Sequence, residues 1–419
     1  SDTDKIKAIY NAAIHNHVLE PEFEIILDDG EIVTVLEIVT NSETYHERRC
    51  RDPLEPDYDD DHRIGYINLK NATPYIWSHA HGGQRYTLKG TKPIVEIVTG
   101  SPDKAVDEII SVLRKTKKLF SNSHGVVDVS SGEIRIIRSE ELLVIIHREM
   151  NIVRRKKDIA VSIDIPASTN KSVYAVANNA GLDLLNGLIN HPTLRKDGSL
   201  LSSPGYDSSS NIFLSLNSGS VETVSDNPTL KQVKDALNQL WKPFEKFPFN
   251  SDTDRSVFLA ALLTAPIRKS LPTAPGFVIE ASTPGSGKTM LARCLGIISG
   301  ERNPSVRTPC ASEDEWKKSL LAVTREMASV LIYDNVSKTI QGDALNAFLT
   351  SPYFSGRILG QSAEAKGVTN SLMIFTGNNI QLVGDINRRL LCCRIEPNTE
   401  NPEDRKFNFD PVQYCRDNQ

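Results

Sequence analysis

The chain has 419 residues, 39% of them hydrophobic and 24% charged, and a formal net charge of −5. This composition belongs to a soluble globular protein and excludes a disordered chain or a membrane bundle, while the length allows roughly three domains. The acidic total also excludes a globally basic nucleic-acid coat, so any contacts with DNA must be local, as in a pore or groove.

The first residues, Ser1-Asp2-Thr3-Asp4-Lys5, have no secretory or transit character. The six cysteines, at positions 50, 294, 310, 392, 393 and 415, form no C-x-x-C pair and read as reduced thiols of a cytoplasmic protein. Residues 1–100 are predicted to form a small β-rich domain, with strand-like runs at Glu24-Ile25-Ile26-Leu27 and Ile32-Val33-Thr34-Val35-Leu36. Cys50, His79 and His81 are too few for a zinc ribbon. Residues 101–227 read as an α+β module of winged-helix-like order. Val106, Ile109, Ile110 and Leu113 predict an amphipathic helix over 103–120 that ends in the basic run Arg114-Lys115-Thr116-Lys117-Lys118. A strand over 133–138, a helix over 140–150, a strand over 152–157 and a helix over 174–189 follow. A Ser/Asn/Gly/Asp-rich linker over 202–227 surrounds a strand at 212–216. The third domain is expected over 228–419. Its apolar run Val257 to Ile267 is broken by Thr264 and Pro266, and no segment reaches the ~20 apolar residues a membrane helix needs.

Within that third domain, Phe277-Val278-Ile279-Glu280 predicts a buried strand, and Leu291, Cys294, Leu295 and Ile298 mark one face of a helix. Between them lies Ser282-Thr283-Pro284-Gly285-Ser286-Gly287-Lys288-Thr289. Gly285 and Gly287 let the backbone take positive φ and approach phosphates closely, and a helix N-terminus follows. Lys288 is expected to reach the β- and γ-phosphates of ATP, and the Thr289 hydroxyl to hold Mg²⁺. Ser282 stands where such loops usually open with glycine. Ser312 and Glu315 predict a capping box before a helix carrying Trp316, Leu320, Val323 and Met327. The strand Ser329 to Tyr333 then ends in Asp334, the expected second half of the metal site.

Arg357 to Asn370 contains two short apolar runs around a polar tip and predicts a β-hairpin, whose Arg357 and Lys366 are candidates for gripping DNA phosphates. The strand Ser371 to Phe375 leads into Thr376-Gly377-Asn378-Asn379, where an amide can orient an attacking water. Gly384-Asp385-Ile386-Asn387-Arg388-Arg389 precedes a strand at 390–395, and an arginine there suits a triphosphate, in trans as a finger. Strands near 277, 305, 329, 371 and 390 are enough for a five-stranded parallel sheet with helices on both faces, an α/β architecture. Asn335, following Asp334, cannot act as a base. Glu280, Asp334 alone or a carboxylate from elsewhere are the candidates for activating water.

Taken together, Ser282 to Thr289, Leu331 to Val336, Thr376 to Asn379 and Gly384 to Arg389 resemble the helicase part of phage and mobile-element primase-helicases. That group is similar to superfamily 3 helicases and to the poxvirus nucleoside triphosphatase-primase. Asp52-Pro53-Leu54-Glu55-Pro56, Ser78-His79-Ala80-His81-Gly82-Gly83, the run Pro192 to Leu201 and Pro204-Gly205-Tyr206-Asp207 also look like it. The resemblance implies a hexameric AAA+ ATPase that uses ATP and Mg²⁺ to unwind single-stranded or forked DNA in the host cytoplasm. It further implies Asn378 or Asn379 as sensor and Arg388 or Arg389 as finger. A DNA-binding AAA+ switch or loader that assembles at an origin without unwinding is the alternative. No paired-carboxylate polymerase signature is present, so a primase or polymerase partner is expected outside this sequence. The helix opening at Asp410 with no lid after it reads as a piece of a longer primase-helicase, or as one without the group's C-terminal helices.

Overall fold

A computed structural model describes residues 10, 11, 13–70, 74–89, 92–156, 159–216, 225, 227–337, 339–357, 364–397 and 401–418. They divide into two compact units, Ser1–Lys115 with Arg138–Val176, and Thr116–Ile137 with Ala177–Gln419.

In the first unit five strands make a sheet in the spatial order Val18–Leu19, Gln84–Leu88, Tyr75–Ser78, Gly65–Asn68 and Arg49–Cys50. Leu19, Ile25, Ile38, Ile67, Ile76 and Leu88 form its core. The expected strand over 32–36 is shorter. Thr34 and Glu37 exchange hydrogen bonds in a capping box that turns the chain into the helix Val35–Thr40. The helix Pro102–Thr116 buries Val106, Ile109, Ile110 and Leu113 as their spacing predicts, but it stops short of 120, where Leu119–Asn122 is a strand. The helix expected over 174–189 lies earlier, at Ala167–Val176, and Gly187–Ile189 is a strand. Asn178, Asn179 and Gly181 are poor helix formers, which ends the helix there.

The second unit is built on one parallel sheet of five strands, β1 (Gly276–Ala281), β2 (Val306–Arg307), β3 (Val330–Val336), β4 (Leu372–Asn378) and β5 (Leu390–Arg394). These are the five strands legible in the sequence. Their spatial order is β2-β3-β4-β1-β5, every neighbour pair parallel. Helices α1 (Lys288–Ile298), α2 (Glu313–Glu326), α3 (Asp343–Thr350) and α4 (Pro411–Asp417) complete the unit. On one face Phe277, Ile279, Ile332 and Ile374 pack with Leu291, Cys294 and Leu295 of α1. On the other, Val278, Leu331, Tyr333 and Phe375 pack with Trp316, Leu320, Val323 and Phe348 of α2 and α3. Each fully buried apolar side chain in these layers is worth about 1.5–3 kcal/mol relative to exposure. At α2 the expected capping box is half formed: Ser312 accepts from the Glu315 amide, while the Glu315 carboxylate accepts from the Ala311 amide.

The far end of the sheet is tied by two buried cations. Arg268 donates to the Ser371 and Thr369 carbonyls, and Lys269 Nζ to the Met327 and Ala328 carbonyls at 2.7 and 3.0 Å. Cys415 of α4 packs on α1 through a thiol hydrogen bond with Cys294. All six cysteines are free, and among the described residues no helix is long and apolar enough to cross a membrane.

Candidate functional site

In an open parallel sheet, ligands bind outside the carboxyl ends of the strands. Here those ends bring together the loop after β1, Asp334 on β3 and Asn378 on β4. Alternation sets the directions of the side chains. Tyr333 is buried against Trp316 and Phe375, at ring separations of 4.8 and 5.4 Å, which turns the next residue, Asp334, toward α1. There Thr289 Oγ1 donates to Asp334 Oδ1 at 3.0 Å, and Thr376 Oγ1 donates to the same oxygen.

The loop takes the shape its glycines allow. Gly285 has φ of +71° and Gly287 of +99°, and a Cβ on Gly287 would stand 2.8 Å from Phe247 Cε1. Lys288 lies folded over the loop, donating to the Thr283 carbonyl at 3.1 Å and to Ser286 Oγ at 2.9 Å. Burial lowers its pKa, opposed by the charge of Asp334. Thr283 Oγ1 is buried with no hydrogen-bond partner among the described residues. Ser282 has a role of its own: its hydroxyl donates to Glu396, whose carboxylate also accepts from Arg394 Nε at 3.1 Å. These two hydrogen bonds hold the Glu396 pKa below the usual carboxylate range.

Asn335 is exposed and left-handed, with φ of +56°, where the register of β3 against β4 shifts between Tyr333 and Val336. Asparagine tolerates that conformation better than glutamate does, which accounts for the residue found after Asp334. Across this bulge a Cβ on Gly377 would overlap the Val336 carbonyl oxygen. Gly377→Ala is therefore expected to destabilise the fold by roughly 1–3 kcal/mol in denaturant titration and to displace Asp334.

Glu280 is not brought to this cluster. It shares the face of Val278, whereas Ile279 and Ala281 face α1 along with Asp334. Its register partners are Gly377 and Arg394. Glu280→Gln should leave ATP turnover unchanged in a steady-state assay, contrary to the expectation from its position beside the loop. Asn378 is exposed at the end of β4, level with Ala281, whereas Asn379 is a turn residue with φ of +50°. Arg389 is held by Asp385 at 3.5 Å and donates to the Asn346 carbonyl at 3.3 Å. Arg388 is exposed and has no ion pair or hydrogen bond from its side chain among the described residues.

The hairpin pairs Tyr353–Arg357 with Glu364–Val368, starting four residues before its expected position, and its tip, 358–363, lies outside the described residues. Phe354 and Ala365 are buried on one side, toward α2. Tyr353, Arg357 and Lys366 share the exposed side, where Lys366 Nζ is 4.5 Å from the Tyr353 ring centroid. Thr376 and Glu396 drew no role from the sequence. Thr376 was detectable as a hydroxyl ending an apolar strand beside the Asn pair, and Glu396 carried no local signal.

The oxygens of Thr289 and Asp334 form a hard donor pair that fits Mg²⁺, which takes one or two protein oxygens and completes its shell from water and substrate phosphate. No cluster of three or more His, Cys, Asp or Glu able to hold a metal occurs among the described residues, so a dedicated all-protein cage is not what this site offers.

No protein-family model matches the chain, and no curated protein matches it. Sixty chains of solved structures do. One is the A-form apo structure of the C-terminal region, residues 305–718, of NrS-1, at 13% identity and a TM-score of 0.37. The match covers 75% of this chain and 66% of that one, so the chain spans just under two thirds of that region. Likeness at this level leaves function to be argued from the site itself.

Proposed function

We propose that the protein is an ATP hydrolase of AAA+ type that acts as a DNA helicase, assembling as a ring around single-stranded DNA. The observation that carries this is the Thr289–Asp334 contact beneath a glycine loop, at the carboxyl ends of a parallel sheet ordered β2-β3-β4-β1-β5. Loop amides from Thr283 to Thr289, with Pro284 turning the chain and Ser286 beside Lys288, bind the triphosphate. Lys288 exchanges its contacts within the loop for phosphate oxygens. Thr289 and Asp334 would hold Mg²⁺, which when bound neutralises charge on the phosphates. Asn378 orients the attacking water from the α1 side of β4. Arg388, the cation without a partner in its own chain, completes a neighbour's site. Arg357 and Lys366, on the exposed side of the hairpin beside Tyr353, contact the phosphates of the strand.

The test is strand displacement on a forked duplex. Wild-type protein with ATP and Mg²⁺ should separate the strands and Lys288→Ala should not. Hydrolysis stimulated by DNA without displacement would favour a loader or switch, and absence of nucleotide binding would overturn the reading altogether.

A further inference from the structure

Arg405 is a partly buried cation without an anion. Its side chain makes no hydrogen bond or ion pair among the described residues. Its guanidinium carbon lies 5.9 Å from the ring centroids of both Phe247 and Phe407, which are themselves 5.2 Å apart. Phe247 is the ring against which Gly287 of the phosphate loop is packed. The two aromatic segments are joined again by Lys246 Nζ, which donates to Asn408 Oδ1 at 2.7 Å. Burial lowers the Arg405 pKa with no neighbouring carboxylate to oppose it. Withdrawing a guanidinium from water without pairing it is unfavourable, and the planar fork of N–H donors suits a phosphate better than any other common ligand. The arrangement is a sheltered, preformed anion receptor one ring away from the loop.

We propose that Arg405 is a second cation for the phosphate chain of the nucleotide, supplied by the same subunit that supplies Lys288. Phe247 and Phe407 hold its guanidinium beside the loop, and the segment 401–410 thereby becomes part of the nucleotide site. This rests on the phosphate-binding reading of the loop. Arg405 acts on binding by direct contact with phosphate and has no part in reading the base.

Calorimetric titration of the whole chain with Mg-ATP, Mg-GTP and inorganic tripolyphosphate tests it. Arg405→Gln should weaken all three by roughly tenfold, the scale of one charge-assisted hydrogen bond. Arg405→Lys, which keeps the charge, should fall between wild type and Arg405→Gln, with melting temperatures establishing that both variants are folded. Equal affinities in wild type and Arg405→Gln overturn the proposal, as does a loss seen with ATP and GTP but absent with tripolyphosphate, which would move Arg405 to the nucleoside. If wild-type protein binds none of the three, the loop itself is misread and the inference falls with it. If wild type binds and Lys288→Ala does not while Arg405→Gln does so normally, the loop stands and Arg405 alone is excluded.

Discussion

Lys288→Ala should lower ATP turnover by roughly a hundred- to a thousandfold, the range found when one preorganised charge-stabilising donor is removed. Its effect on stability should be small. The ammonium donates to a loop carbonyl and a serine hydroxyl, and its burial already lowers its pKa, so alanine removes contacts that are close to neutral for the free protein. Turnover and thermal midpoint should therefore separate: hydrolysis is lost while the melting temperature stays within a few degrees. Asp334→Asn should behave differently. Asp334 accepts from Thr289 and Thr376 through one oxygen, so the amide can keep those two hydrogen bonds while losing the charge that would hold Mg²⁺. Its turnover loss should not be relieved by raising Mg²⁺ to any concentration the protein tolerates. A variant of either kind that hydrolyses ATP normally would remove this cluster from the mechanism.

Arg388→Ala should cost about a thousandfold in turnover, at the low end of what an arginine supplied in trans contributes. Arg389→Ala should act mainly on stability, because Arg389 is bound to Asp385 and to the Asn346 carbonyl of its own chain. A mixing experiment distinguishes the two. Arg388→Ala protein keeps an intact loop, and Lys288→Ala protein keeps an intact finger. Mixed together, they should recover a fraction of wild-type hydrolysis that neither shows alone. No recovery, with Arg388→Ala as active as wild type, would mean that Arg388 serves no neighbour.

The strand, loop and helix around Ser282 to Thr289 were legible because glycine positions and hydrophobic period report on local backbone. The five strands of the parallel sheet were legible because buried parallel strands read as unbroken apolar runs. The facing of Glu280 was in principle available as well. Counting by twos from Phe277 and Ile279 puts Glu280 opposite the α1 face, but its nearness to the loop in sequence outweighed that count. The Ser282–Glu396 and Asp334–Thr376 contacts join residues 114 and 42 positions apart, and no local pattern encodes them. The elements upstream of the parallel sheet are short. There a single capping box at Thr34 or a pair of asparagines at 178 and 179 decides a boundary, and composition averages over such details.

The bulge in β3 bears on attempts to repair this enzyme. A glutamate written in at position 335 would match the residue pair usual for such ATPases, yet it would inherit a left-handed backbone that penalises it by about 1–2 kcal/mol. Nor is its carboxylate certain of the direction that a regular strand would give it. Gain of a general base by that route requires flattening the kink first, and Gly377 is the neighbour whose bare backbone lets the kink exist.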